Sequence, residues 1–126
     1  MIINPDFEIA KDFITELTGA VDTPVTVQTF DDRKTKKGEK KDRSLAKILH
    51  GNILELWDQL VELSLRGAGI FICPNITDLE GRALENVTAI RAVYVDKDNG
   101  VITDFKIEPN LEVIAVRGSH YYWQLP

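Results

Sequence analysis

What most restricts the fold of this 126-residue chain is that its apolar segments are short and follow two different periods. Phe7, Ala10, Phe13, Ile14 and Leu17 recur at helical spacing, with Pro5 at the start and Gly19 as a stop, so the sequence predicts a helix over Pro5–Leu17. Ile53, Leu56, Trp57, Leu60, Val61 and Leu63 mark a second amphipathic helix running to about Arg66. Asn52 with Glu55 three residues later gives it a capping-box-like start, and Gly67-Ala68-Gly69 ends it. The remaining apolar runs have the length and composition of strands: Pro24–Phe30, Ser44–His50, Ile70–Ile72, Ala89–Val95, Leu111–Val116 and Tyr121–Leu125. Ser44–His50 also fits the start of a long helix, but the Gly51 break before Asn52 favours a strand that returns in a hairpin on Pro24–Phe30. Ala89–Val95 reads as a central strand because it is almost entirely apolar. A polar loop is expected over Asn75–Asn86, and Arg117–His120 separates the last two strands.

This order predicts an α+β fold, a mixed and mostly antiparallel sheet with two main helices packed on it, in one domain covering residues 1–126. No apolar run nears the roughly 20 residues of a membrane span, and the N-terminus has no secretory pattern. The lone Cys73 has no partner for an internal disulfide. The expectation is a cytoplasmic protein with no membrane partner.

Charge is unevenly placed. Arg33–Arg43 holds seven basic residues against two acidic ones, a balance of +5, while the rest carries eight basic and 18 acidic residues, a balance of −10. The segment lacks apolar periodicity and contains Gly38, so it is expected to be a mobile basic loop within the domain. Arg33, Lys34, Lys36, Lys37, Lys40, Lys41 and Arg43 are then candidate nucleic-acid contacts, with a solvated hairpin tip as the other reading.

Two carboxylates, Asp96 and Asp98, stand at i and i+2 where the Ala89–Val95 strand runs out, so they share one side of it. Like charges so placed suit Mg²⁺ or Mn²⁺, which take hard oxygen ligands. Asp96-Lys97-Asp98-Asn99-Gly100 also fits a surface turn. His120, with Ser119 before it and Tyr121-Tyr122-Trp123 after it, is a second candidate, able to contact a triphosphate near a metal or to be structural. His50 reads as a strand-end residue and Cys73 as a small buried hydrophobe.

Taken together these segments resemble the archaeo-eukaryotic primase superfamily, in particular the RepB-like DNA primase domains of phages and plasmids. The resemblance runs from VTVQTFDD (Val25–Asp32) through LAKILHG (Leu45–Gly51), GAGIFICPNITDLEGR (Gly67–Arg82) and ENVTAIRAVYVDKD (Glu85–Asp98) to SHYYWQL. It implies an RRM-related, primase-like fold with Asp96 and Asp98 as catalytic metal ligands, binding Mg²⁺ or Mn²⁺. It also implies that His120, with Ser119 and Arg91, binds a nucleoside triphosphate, and that single-stranded DNA is the template partner. Two departures accompany it: Ser119 and His120 are adjacent where the family has one residue between them, and the chain ends six residues after His120, before the family's third acidic motif. The expectation is therefore a truncated or remnant primase–polymerase domain, with little activity alone. The alternative is a non-catalytic module that binds nucleotide or nucleic acid, or forms a homo-oligomer through its incomplete sheet.

Overall fold

The computed structural model describes residues 4–34, 37–115 and 118–126. Helix α1 (Phe7–Thr18) is capped at its start by Asp6, whose carboxylate accepts from the Ile9 amide at 3.1 Å. It is closed by Gly19 in the left-handed region at φ 94°, whose N–H reaches the Thr15 carbonyl. Strand β1 (Val25–Asp31) follows, then β2 (Lys47–Gly51), preceded by a 3₁₀ turn at Arg43–Leu45. Helix α2 (Ile53–Leu65) starts on Asn52, whose side chain accepts from the Glu55 amide at 2.9 Å. After it come β3 (Ala68–Ile72), β4 (Ile76–Thr77), β5 (Val87–Ala89), β6 (Ala92–Asp98), β7 (Leu111–Ile114) and β8 (Gly118–Gln124).

Two helices on mostly antiparallel sheets make this an α+β fold. The strands divide between two three-stranded sheets, β2-β1-β3 and β6-β8-β7, and a two-stranded ribbon, β4-β5. The hairpin expected from Pro24–Phe30 and Ser44–His50 is present as β1–β2, with Val25 opposite Gly51 and Thr29 opposite Lys47. Helix α1 joins the two sheets. Its Ile14 packs with Val25 and Val27 of the first sheet and with Ile53 and Leu60 of α2, and its Leu17 with Ala92 and Tyr122 of the second sheet. Phe13 lies against both clusters, and the Gln124 side-chain amide donates to the Glu16 carbonyl, tying β8 to the helix.

Three expectations are corrected. β6 is an edge strand, not a central one: β8 lies between β6 and β7, and Val93 and Tyr94 keep about half of their surface exposed. An unbroken apolar run marks a doubly buried strand only when both faces are covered, and here Ala92 alone is buried. The residues Gly118–His120 are not a separator but the first three of β8. The polar Asn75–Asn86 stretch is partly ordered by β4, which pairs with β5, so Ala89 belongs to the ribbon rather than to β6. Among the described residues, no helix is long and apolar enough to cross a membrane.

Candidate functional site

Period-two alternation assigns each side chain of the β6-β8-β7 sheet to one of two faces. Ser119, Tyr121 and Trp123 of β8 face the segment that connects β6 to β7. Ser119 Oγ donates to the Gly100 carbonyl at 2.8 Å, the Tyr121 hydroxyl accepts from the Ile102 amide at 2.7 Å, and Trp123 Nε1 donates to the Ile107 carbonyl at 2.9 Å. Phe105 fills the space between the Tyr121 and Trp123 rings. On the opposite face stand His120 and Tyr122 with Tyr94, Asp96 and Asp98 of β6. Helix α1 covers the Tyr122 end of this face, where Phe13 meets the Tyr122 ring edge-on at 5.7 Å. The Asp96–His120 end is open.

Strand register sets the geometry of that open end. Asp96 is paired directly with His120 and Asp98 with Gly118. His120 Nε2 lies 3.3 Å from Asp96 Oδ1, and its Nδ1 lies 3.3 Å from the Tyr122 hydroxyl. With Nε2–H donating to Asp96, Nδ1 is left to accept from Tyr122, and both ring nitrogens are satisfied. The side chains of His120 and Asp96 are 42% and 59% exposed, so their attraction is screened and the contact positions the groups more than it stabilises the fold. Tyr122 is held as a neutral phenol: burial foremost, then Tyr94 and Asp96, raises its pKa above the usual tyrosine value. Tyr94 lies 5.8 Å from the Tyr122 ring, so an aromatic floor adjoins the Asp96–His120 pair. Asn99 at φ 61° and Gly100 at φ 92° turn the chain away just after Asp98, so the strand end and the Asp-Asn-Gly turn coexist.

Asp96 and Asp98 supply hard oxygens from one side of β6, their Cα atoms about 7 Å apart by strand geometry. Among the described residues no three His, Cys, Asp or Glu side chains converge on one point. The donor set therefore suits a cation that brings further oxygens with it, as Mg²⁺ does when it arrives on nucleotide phosphates.

The other candidate residues lie elsewhere. Ser119 is 1% exposed on the face opposite His120, because neighbours on a strand point apart. Arg91 precedes β6, about 16 Å of strand away from Asp96. Its backbone amide donates to Asn75 Oδ1 at 3.0 Å and its Nη1 to the Pro74 carbonyl at 3.3 Å. In the basic loop, Arg33 turns back onto Asp31 through Nε and Nη2, both at 2.9 Å, and Lys41 Nζ donates to the Arg33 carbonyl at 3.0 Å. Lys34, Lys37, Lys40 and Arg43 are exposed, and Lys36 lies outside the described residues. Sequence reasoning did not single out Tyr94, although its position two residues before Asp96 puts it on the same face of any strand. It also missed the contact of His50 Nδ1 with Thr26 Oγ1 at 2.9 Å, which follows once the β1–β2 register is known. Set against family models, curated proteins and solved structures, the chain matches none of them.

Proposed function

We propose that this protein is a primase-like nucleotide-binding domain whose site is the open end of the β6–β8 face. The observation that carries the reading is the direct cross-strand pairing of Asp96 with His120, with Asp98 two residues further on the same face. A strand-borne carboxylate pair beside a histidine is what a metal–triphosphate needs: oxygens for the cation and an imidazole for the phosphates. Asp96 and Asp98 would hold Mg²⁺ or Mn²⁺, and the ion, when bound, offsets the charge of the phosphates. His120 contacts the triphosphate, its ring oriented by Asp96 and the Tyr122 hydroxyl. Tyr94, half exposed beside Tyr122, offers a ring on which a base can stack. The exposed Lys34, Lys37, Lys40 and Arg43 are the residues left to track the phosphates of single-stranded DNA. The reaction of this lineage is template-directed phosphodiester synthesis, in which a 3′-hydroxyl oxygen bonds to the α-phosphorus and pyrophosphate leaves.

With two carboxylates and no third converging ligand among the described residues, binding is expected to exceed catalysis. A thermal melt with Mn²⁺ and ATP together should show a rise in Tm that neither component gives alone. Asp98→Ala should remove that rise. A melt in which parent and variant respond alike would assign the effect to some other site. Primer synthesis by the purified chain is expected to be weak or absent.

A second reading is favoured by the free edge of β6. Among the described residues no strand pairs with its outer edge, and its Val93 and Val95 are 50% and 42% exposed on the face away from Asp96. Such an edge favours pairing with a second copy. Sedimentation at rising concentration should show a dimer that Val95→Lys weakens by about tenfold or more, as a charge opposes both burial and stacking of the edge. A parent chain that stays monomeric throughout contradicts this reading and leaves the nucleotide site standing.

A further inference from the structure

A cavity of about 200 Å³ opens at the other end of β6, lined by residues that include Val25, Thr26, Asn75, Thr77, Leu79 and Arg91. Its polar wall includes three side chains able to donate, those of Arg91, Asn75 and Thr77. Arg91 is half-buried and carries five N–H groups, of which one, on Nη1, bonds to protein among the described residues, at the Pro74 carbonyl. Among the described residues no carboxylate forms an ion pair with it. Burial disfavours its charged form, with Cys73 as the ionisable neighbour that offsets this in part. A cation in a partly dry setting with no counter-charge is an incomplete arrangement, and an anion from outside completes it.

The neighbouring groups are turned the same way. Asn75 Oδ1 is fully engaged, accepting from the Arg91 and Ala92 amides at 3.0 and 3.2 Å. This fixes the amide so that Nδ2, which has no acceptor among the described residues, is available as a donor. Thr77 Oγ1 accepts from the Leu79 amide at 3.1 Å and meets Thr26 Oγ1 at 2.7 Å, and Thr26 Oγ1 in turn meets His50 Nδ1 at 2.9 Å. When His50 donates through Nδ1, the chain runs from His50 to Thr26 to Thr77, and the Thr77 hydrogen is free to donate onward.

We propose that this cavity binds the phosphate group of a small phosphate ester, at a site separate from the Asp96–His120 face. A guanidinium fork, an amide and a hydroxyl on different segments suit a tetrahedral group with three or four accepting oxygens better than a flat carboxylate with two. Among the described residues no Asp or Glu lines the cavity to repel it. The strand distance of about 16 Å from Arg91 to Asp96 gives the two sites different ligand groups.

Inorganic phosphate is the probe, titrated into the full chain with a chelator present and followed through the ¹H–¹⁵N resonances of Arg91 Nε, the Asn75 side-chain amide and the Thr77 backbone. Saturable shifts at these three groups are expected, with Arg91→Gln weakening binding by about tenfold or more. Arg91→Lys keeps the charge without the fork and should bind more weakly than the parent but better than Arg91→Gln. Thr77→Val, which leaves Arg91 in place, should also weaken binding and separates a ligand role from a loss of folding at Arg91. Asp96→Asn should titrate as the parent does. Absence of saturation, undiminished binding by a folded Arg91→Gln variant, or equal displacement by acetate would each overturn the proposal.

Discussion

Asp31 governs how much of the basic loop is free. Its side chain is 1% exposed and accepts four hydrogen bonds: two from the Arg33 guanidinium, one from the Arg33 amide and one from the Asp42 amide. The Arg33 side chain, then the Asp42 amide, holds this carboxyl well below the usual carboxylate range. A depressed carboxyl stabilises the fold above its unfolded pKa, roughly 4, and that contribution is lost as pH falls through the folded value. Asp31→Asn is therefore expected to be less stable than the parent at pH 7, with the gap narrowing below about pH 4. Urea unfolding of both chains at pH 7 and at pH 3 measures this. Counting charges over Arg33–Arg43 did not reveal the clamp, because the residue that binds Arg33 stands two positions outside the window. The opposite orientations of Ser119 and His120 were likewise hidden, because both read as part of a separator, and they follow from adjacency only once both lie on β8. On the buried side of that strand, Tyr121→Phe removes the hydroxyl that accepts from the Ile102 amide and is expected to cost about 1–2 kcal/mol, seen as a lower urea midpoint.

Among the elements, β6 carries the candidate site and, with the start of β8 and the β4–β5 ribbon, is one whose setting the sequence misrepresented. Hydrophobic periodicity separates a half-buried strand from a helix, but it does not separate a strand buried on both faces from an apolar edge. Val93, Tyr94 and Val95 read as part of a central strand and are exposed on β6, which among the described residues pairs with β8 on one edge and with no strand on the other. The helices and the β1–β2 hairpin were legible because each had its own stop: Gly19 after α1, and Gly51 and Asn52 between β2 and α2. The split into two sheets had no local marker, since it depends on which strands α1 brings together through Ile14 and Leu17. The β6–β8 ladder depends on close approach at Gly118, where a Cβ would lie 2.5 Å from the Lys97 carbonyl oxygen. Gly118→Ala is expected to force the strands apart beside Asp98, costing about 1–3 kcal/mol and speeding amide hydrogen exchange in β6. Unchanged exchange would mean that the ladder yields at no cost there.

At the scale of the whole molecule, helix α1 seals one end of the β6–β8 face and leaves the other open, so one sheet face contains both a packed end and an exposed end. The net charge of −5 conceals this arrangement, because the acidic body supplies Asp96 and Asp98 while the basic loop supplies the exposed lysines. That Asp96 and Asp98 share a face was readable from the sequence, but that His120 joins them was not, because the residues before Tyr121 read as a separator rather than as strand. Nor was the direct opposition of Asp96 and His120, since register is a property of the strand pair rather than of either strand alone. The central claim is that Asp96, Asp98 and His120 form one metal–nucleotide site. Paramagnetic broadening by trace Mn²⁺ in the presence of ATP tests it most directly. The amides of Asp96, Asp98 and His120 should broaden first and together, the effect should need ATP, and Asp98→Ala should abolish it. Broadening centred elsewhere, or undiminished in Asp98→Ala, would contradict the account.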